Sequence, residues 1–351
     1  MIHNLFYKKL IVSIGIIGCI GMLSACGKEE TSYTQAGMDA IKALSYDEAV
    51  EDFNLALEND PEDRLALRGR GMVYLAQLKC DDAIADFTQA LHLSDGVPED
   101  LDYDINYYLA SAYYKSGQLD QAKSVYDAII NLRSDEVNAY YLRGVVTLEQ
   151  GNYDLAYADF TKAMELVPND YDMILDIYQV LAAWGYKEAG RDMLSTVIAS
   201  GSSISDYDMG RFEFYLGSYD SAKSYLEQAK EGDMSQITLF LGRTYEALGD
   251  YNYAISLYNT YLDKDHNDPQ IYNQMGLCQM KMERYSEALG SFQAGMNLED
   301  NSIIQTLKFN EIVAYEYMGE YKTASSLIGD YLKIYPDDSN ATREYTFLKT
   351  R

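Results

Sequence analysis

Catalysis needs nucleophiles, acid–base pairs or ligand clusters at workable spacings, and this chain offers few of them. Its 351 residues hold three histidines and four cysteines. His92 and His266 are far too separated for local metal spacing, and His3 stands near the start. No HExxH sets two ligands on one helix face, and no GxSxG puts a serine on a sharp strand-to-helix turn. Asp263, Asp265 and Asn267 alternate like the opening of a calcium loop. Such a loop needs glycine for its turn and a bidentate glutamate at its end, where Asp268 and Gln274 stand instead. Gly69 and Gly71 form a GxG inside a helical pattern with no strand before it, so no dinucleotide cradle follows. The residues predict no enzyme, no cofactor and no metal site. Cys26 is the exception, a nucleophilic thiol directly after Leu23, Ser24 and Ala25, whose small neighbours let the chain enter a processing cleft.

The residues before Cys26 explain how that thiol is delivered. Lys8 and Lys9 give a basic head, and Leu10 to Leu23 is an uncharged apolar run. A run of about 14 residues is short for a membrane span, which needs roughly 20, and right for a secretory signal core. Leu23-Ser24-Ala25-Cys26 resembles the lipobox of bacterial lipoproteins. The resemblance implies a signal peptide over 1–25, cleavage before Cys26, and a diacylglyceryl anchor on the Cys26 thiol. Residues 26–32 are then the lipidated cysteine and a short tether, reaching roughly 20 Å at full stretch. The expected place is the extracytoplasmic face of a bacterial membrane: the plasma membrane of a single-membrane host, or the outer membrane of a double-membrane host because Gly27 follows the cysteine.

Acids outnumber bases 55 to 28, for a formal charge of −27. Phosphate affinity depends on Lys and Arg releasing counterions, so nucleic acid is not an expected partner. The charge suits solubility, and after that a basic partner. With 48% hydrophobic residues and only five prolines the chain packs a core. Thirty-four tyrosines against one tryptophan call for an explanation in the elements themselves.

Self-comparison supplies it, with a period of about 34 residues. Gly37, Tyr46, Ala49, Phe53, Ala56 and Pro61 begin the series, and Gly71, Ala83, Phe87 and Ala90 follow one period later. Gly144, Gly151, Tyr153, Ala156, Phe160, Ala163 and Pro168 repeat it again. The alanine recurs as Ala122, Ala222, Ala254, Ala288 and Ala324, with Gly190 standing in once. These residues resemble the tetratricopeptide (TPR) signature. The resemblance implies an all-α fold: a right-handed α-solenoid of about nine TPR-like helix-turn-helix repeats with a C-terminal cap helix. Tyr46, Tyr153, Tyr219, Tyr251, Tyr285 and Tyr321 sit just after each turn, where the family pattern wants tyrosine. Glycines 117, 151, 185, 217, 249 and 319 end the first helices, supplying left-handed caps. Gly71 and Gly144 are read as room for the paired helix to approach, with Phe87 and Phe160 filling space toward the next repeat.

Departures from the pattern suggest organisation. Five extra residues around Ser94 to Glu99 should widen the join between repeats two and three. Repeat five loses the Ala-Phe pattern, and a bend is expected near Gly201. The expected domains are repeats one to five over 33–200, repeats six to nine over 201–338, and a cap helix over 339–351. Cys19 leaves with the signal. Cys80 and Cys278 fall in repeats two and eight, which do not touch in a solenoid, and read as small buried hydrophobes.

In the family, first helices line the concave face, and the resemblance implies where a partner would lie. Repeat two offers Leu65, Arg68, Met72 and Leu75; repeat three offers Tyr107, Ser111, Tyr114 and Lys115; repeat four offers Tyr141, Val145 and Leu148. Repeat six offers Tyr207, Arg211, Phe214 and Tyr215, repeat seven Leu239, Arg243 and Glu246, and repeat nine Phe309, Val313, Glu316 and Tyr317. An aromatic and aliphatic face with an occasional arginine suits a peptide with apolar anchors. The Lys and Asn clamp with which some relatives grip chaperone tails is missing, since Thr34 and Met38 stand in its place. The expected function is a membrane-anchored adaptor that captures protein or peptide partners. The alternatives are a structural part of an envelope secretion, pilus or cell-wall machine, or a ligand-capture lipoprotein serving a transporter.

Overall fold

The computed structural model describes residues 32–200, 203–264, 268–299, 301–336 and 338–351. The signal, Cys26, most of the tether, Gly201, Asp265, His266 and Asn267 lie outside the described residues. Among those described, the elements are all helices, and they pair as hairpins with one helix left at the end. They form two compact units, the first ending at Met193 and the second beginning at Leu194.

The first unit holds α1 (Tyr33–Lys42) with α2 (Tyr46–Asn59), then α3 (Arg64–Ala76) with α4 (Cys80–His92). Next come α5 (Asp100–Lys115) with α6 (Leu119–Leu132), and α7 (Val137–Glu149) with α8 (Tyr153–Leu166). Then α9 (Tyr171–Ala183) meets the first part of α10 (Lys187–Ala199), with Tyr178 against Gly190 and Ile177 beside Met193, and the division falls inside α10. The second unit holds α11 (Asp206–Leu216) with α12 (Tyr219–Gln228), and α13 (Met234–Ala247) with α14 (Tyr251–Leu262). It ends with α15 (Pro269–Lys281) and α16 (Tyr285–Met296), α17 (Ile304–Tyr317) and α18 (Tyr321–Ile334), and a last helix α19 (Ser339–Leu348). Among the described residues the expected all-α make-up of helix-turn-helix repeats with a final helix is therefore present.

Local chemistry sets the helix ends. The Asp63 side chain accepts from the backbone N–H groups of Leu65 and Ala66 at 2.9 and 3.0 Å, satisfying two orphan donors of α3. Asp338 does the same for Asn340 and Ala341 of α19. The first helices end where the chain turns left-handed, at φ 78° for Gly151 and 81° for Gly217. Leu44, Leu78 and Glu283 make the same turn at φ 57°, 60° and 61° without glycine.

The recurring alanines are fully buried from Ala49 to Ala324, and so are Phe53, Phe87, Phe160 and Phe292. Burying each ring stabilises the fold by about 1.5–3 kcal/mol. The mid-helix glycines have a different use from the one expected. A Cβ on Gly71 would lie 2.6 Å from Cε1 of Phe87, and one on Gly144 2.6 Å from Cε1 of Phe160. Glycine there makes room for the ring of its own hairpin, not for the backbone of the second helix. In the short α11–α12 hairpin, Leu226 takes the place of the ring against Gly210. The insertion between α4 and α5 borders a cavity of about 230 Å³ walled by Leu91, Pro98, Ile129 and Leu132. Cys278 is buried, its thiol 3.6 Å from the Tyr251 carbonyl, whereas Cys80 is only partly covered.

Candidate functional site

In the first unit, α3, α5 and α7 carry the predicted partner-facing residues. Leu65 is exposed, and the Arg68 guanidinium pairs with Asp104 and lies 5.3 Å from the Tyr108 ring centroid. Met72 is half-buried beside the core, and Lys115 is exposed at the end of α5. Tyr107 donates its hydroxyl to Glu136 Oε2 at 3.2 Å, and Tyr114 donates to Glu149 Oε2 at 3.4 Å. These two tyrosines of α5 are thus tied to acids on or beside α7. Burial, and then those acids, push both phenols well above their usual value. Tyr141 is half-buried with its ring 6.0 Å from Phe160. The polar handles are spent inside the fold, leaving partly covered aromatic faces.

The second unit gathers a tighter cluster on α11 and α13. Phe214 meets Tyr215, Tyr219 and Phe240 at centroid distances of 5.5, 5.6 and 5.8 Å, nearly edge-on. Tyr207 and Tyr215 reach Phe240 at 6.4 and 6.0 Å. The Arg243 guanidinium lies 4.8 Å from the Phe214 centroid and 5.4 Å from that of Phe240. Further along, Phe309 packs 5.9 Å from Tyr331, and Tyr317 is 63% exposed beside Tyr285.

Several predicted contact residues face inward instead. Leu75 is only 2% exposed, packed in one core cluster with Ile105, Leu109 and Ala112. Val145, Leu148, Leu239 and Glu246 are buried as well. Successive first helices pack against each other, so side chains on that row are covered by the following helix. Arg211 is buried too, paired with Asp208 and stacked 4.6 Å over Tyr207. Spacing within one repeat does not tell which row the next repeat covers.

Sequence reasoning also missed Phe240, which completes the cradle under Arg243. Its only sequence signal is an aromatic residue three before an arginine in a helix, a spacing that places both on one face. Tyr258 was missed as well. It occupies the buried aromatic position of its hairpin and donates to Glu246 Oε1 at 2.8 Å. Among the described residues no cluster of His, Cys, Asp or Glu could hold a metal ion, and no helix is long and apolar enough to cross a membrane.

Comparison with known proteins agrees with this architecture. The tetratricopeptide repeat pattern matches residues 34–98, 107–171 and 214–276. The Protein CTR9 homolog of Arabidopsis thaliana is 21% identical over 322 residues, which is 89% of this chain and 26% of that protein. This chain therefore spans about a quarter of that relative's length. Yeast Tom70 superposes with a TM-score of 0.52 at 14% identity, over 99% of this chain and 86% of Tom70. A tetratricopeptide repeat protein from Parabacteroides merdae gives 0.45 at 15% identity, over 81% of this chain and 99% of that one. The matched segments exceed half of the sequence, and the chain belongs to the tetratricopeptide repeat family, whose stacked hairpins serve as protein-interaction scaffolds.

Proposed function

We propose that this chain is an extracytoplasmic adaptor, held to a bacterial membrane by a lipid on Cys26, that gathers partner proteins by capturing peptide segments on its first helices. One observation carries the reading. Tyr107 and Tyr114 commit their hydroxyls to Glu136 and Glu149 while their rings stay only half-buried. Rings fixed by their polar ends offer apolar area at little further entropy cost. The excess of acid favours a peptide that is basic around its apolar anchors.

A crosslinking pull-down from intact cells tests this, comparing the wild type with a Tyr107→Ala, Tyr114→Ala, Tyr141→Ala variant whose helicity is intact. Loss of a specific partner from the variant is expected. Identical capture by both chains would sink the groove reading. The anchor has its own test: Cys26→Ala should release the protein from the membrane fraction and abolish incorporation of labelled palmitate.

A second reading, a structural part of an envelope assembly, draws on Leu44 and Leu78. These are 72% and 55% exposed at successive hairpin turns, apolar points on an edge that the groove does not use.

A further inference from the structure

With acids outnumbering bases 55 to 28, an arginine here has carboxylates at hand almost everywhere. Every arginine from Arg64 to Arg284 pairs with one, except Arg243. The acid that should claim Arg243 is Glu246, one helical turn along the same helix, where such pairs form readily. Glu246 is committed elsewhere. Tyr258 donates to it at 2.8 Å, Gln274 Nε2 donates to its two oxygens at 3.0 and 3.3 Å, and the Lys281 ammonium stands 4.0 Å away. What Arg243 has instead is rings: its guanidinium lies over Phe214 and Phe240, which stand nearly edge-on to each other. Its fork of N–H donors is oriented and has no acceptor among the described residues.

A stacked guanidinium with an open fork matches a carboxylate bidentately, and stacking lowers the entropy lost on binding. We propose that Arg243 is the receptor for a carboxylate of a bound peptide, with an apolar residue of that peptide laid against Tyr207 and Tyr215. The inference rests on the reading that the first helices capture peptide. It narrows the ligand to one carrying a carboxylate at this point and few elsewhere, because the surrounding acid repels any other.

The test measures anisotropy on the full-length chain in detergent micelles, with three peptides carrying a neutral BODIPY dye. They are Gly-Lys-Ser-Leu-Phe as free acid, the same peptide as C-terminal amide, and Gly-Lys-Glu-Leu-Phe amide. The free acid, the glutamate peptide or both should bind about tenfold tighter than the neutral-ended amide. Preference for one assigns the carboxylate to a C-terminus or to a side chain. Arg243→Gln should erase the difference. Arg243→Lys, which keeps charge without the fork, should lose most of it and keeps the test standing should the glutamine variant melt early. Equal binding of all three peptides, no binding of any, or a preference that survives Arg243→Gln would overturn the proposal. Equal binding that still depends on Tyr107 and Tyr114 would leave groove capture intact and remove only the carboxylate receptor.

Discussion

Two hairpin seams of the first unit are closed by arginine, whereas in the last hairpin of the second unit the same repeat position carries a glutamate. Arg143 of α7 donates from Nε and Nη2 to Asp159 at 2.9 and 2.6 Å and from Nη1 to Asp127 of the preceding hairpin at 2.7 Å. Arg70 repeats the staple with Asp86 at 2.8 and 2.7 Å and with Asn54 at 2.7 Å. In the second unit Glu311 occupies that position and accepts from Gln293 Nε2 at 2.8 Å. The third hairpin uses neither, filling the place with Leu109 and Val125. Hairpin packing sets the geometry of the seam, and its chemistry can change provided the whole set changes together.

The largest effect should follow from breaking one member of a set. Arg143→Met leaves Asp159 without its counter-charge and Asp127 with Lys123 alone, and Asp159 is almost fully covered. Removing one partner of a buried pair costs about 3 kcal/mol or more. Urea unfolding should show that loss, whereas Glu311→Gln in the second unit should cost less than about 1 kcal/mol. Arg143→Leu combined with Asp159→Val copies the third hairpin and should recover most of the loss. Equal costs for Arg143→Met and Glu311→Gln would erase the distinction between the seams.

The units should also lean opposite ways with pH. Asp127 is raised by burial but held below its usual value by hydrogen bonds from Lys123 and Arg143. Its contribution is present above the unfolded pKa of about 3.9 and is lost as pH falls through the folded one. Glu316 of α17 is the reverse case. Burial first, and then Glu344 of α19, push its carboxyl up to about 8. The folded state keeps that proton where the unfolded state has lost it. Docking of α19 is therefore firmest below a pH of about 4.3 and weakens as pH rises to about 8. Hydrogen exchange corrected for intrinsic rates should show α19 losing protection from pH 5 to pH 8, and Glu316→Gln should flatten the profile. Protection that grew with pH would break the contrast.

Much of this array is legible in sequence because one small set of contacts recurs in register. Ala156, Phe160 and Gly144 meet in the same way as Ala83, Phe87 and Gly71, so spacing alone reveals the hairpins. The candidate site is less legible because it depends on what lies beside a residue, not on its place in a repeat. Leu75 and Tyr114 occupy equivalent positions in successive first helices, yet one is sealed in the core and the other half-open. Glu246 and Arg243 have the spacing of an ion pair, and only the third dimension shows that Tyr258 and Gln274 take the acid.

The smallest effect sits at the turns. Six first helices end at a left-handed glycine, but Leu44 and Leu78 hold the same geometry at φ 57° and 60°. That conformation costs an L-residue about 1–2 kcal/mol. Leu78 is more than half exposed and gives little burial in return. Leu78→Gly should therefore stabilise the first unit by about 0.5–1 kcal/mol after the extra chain entropy of glycine is counted. Gly319→Leu should cost the second unit about as much. Both appear as opposite shifts of the urea midpoint. If Leu78→Gly gains stability and keeps every partner, the leucine is a tolerated defect of the turn. If it gains stability and loses partners, the chain holds a strained leucine at that edge because something docks on it, and the outer edge becomes a second working surface beside the groove.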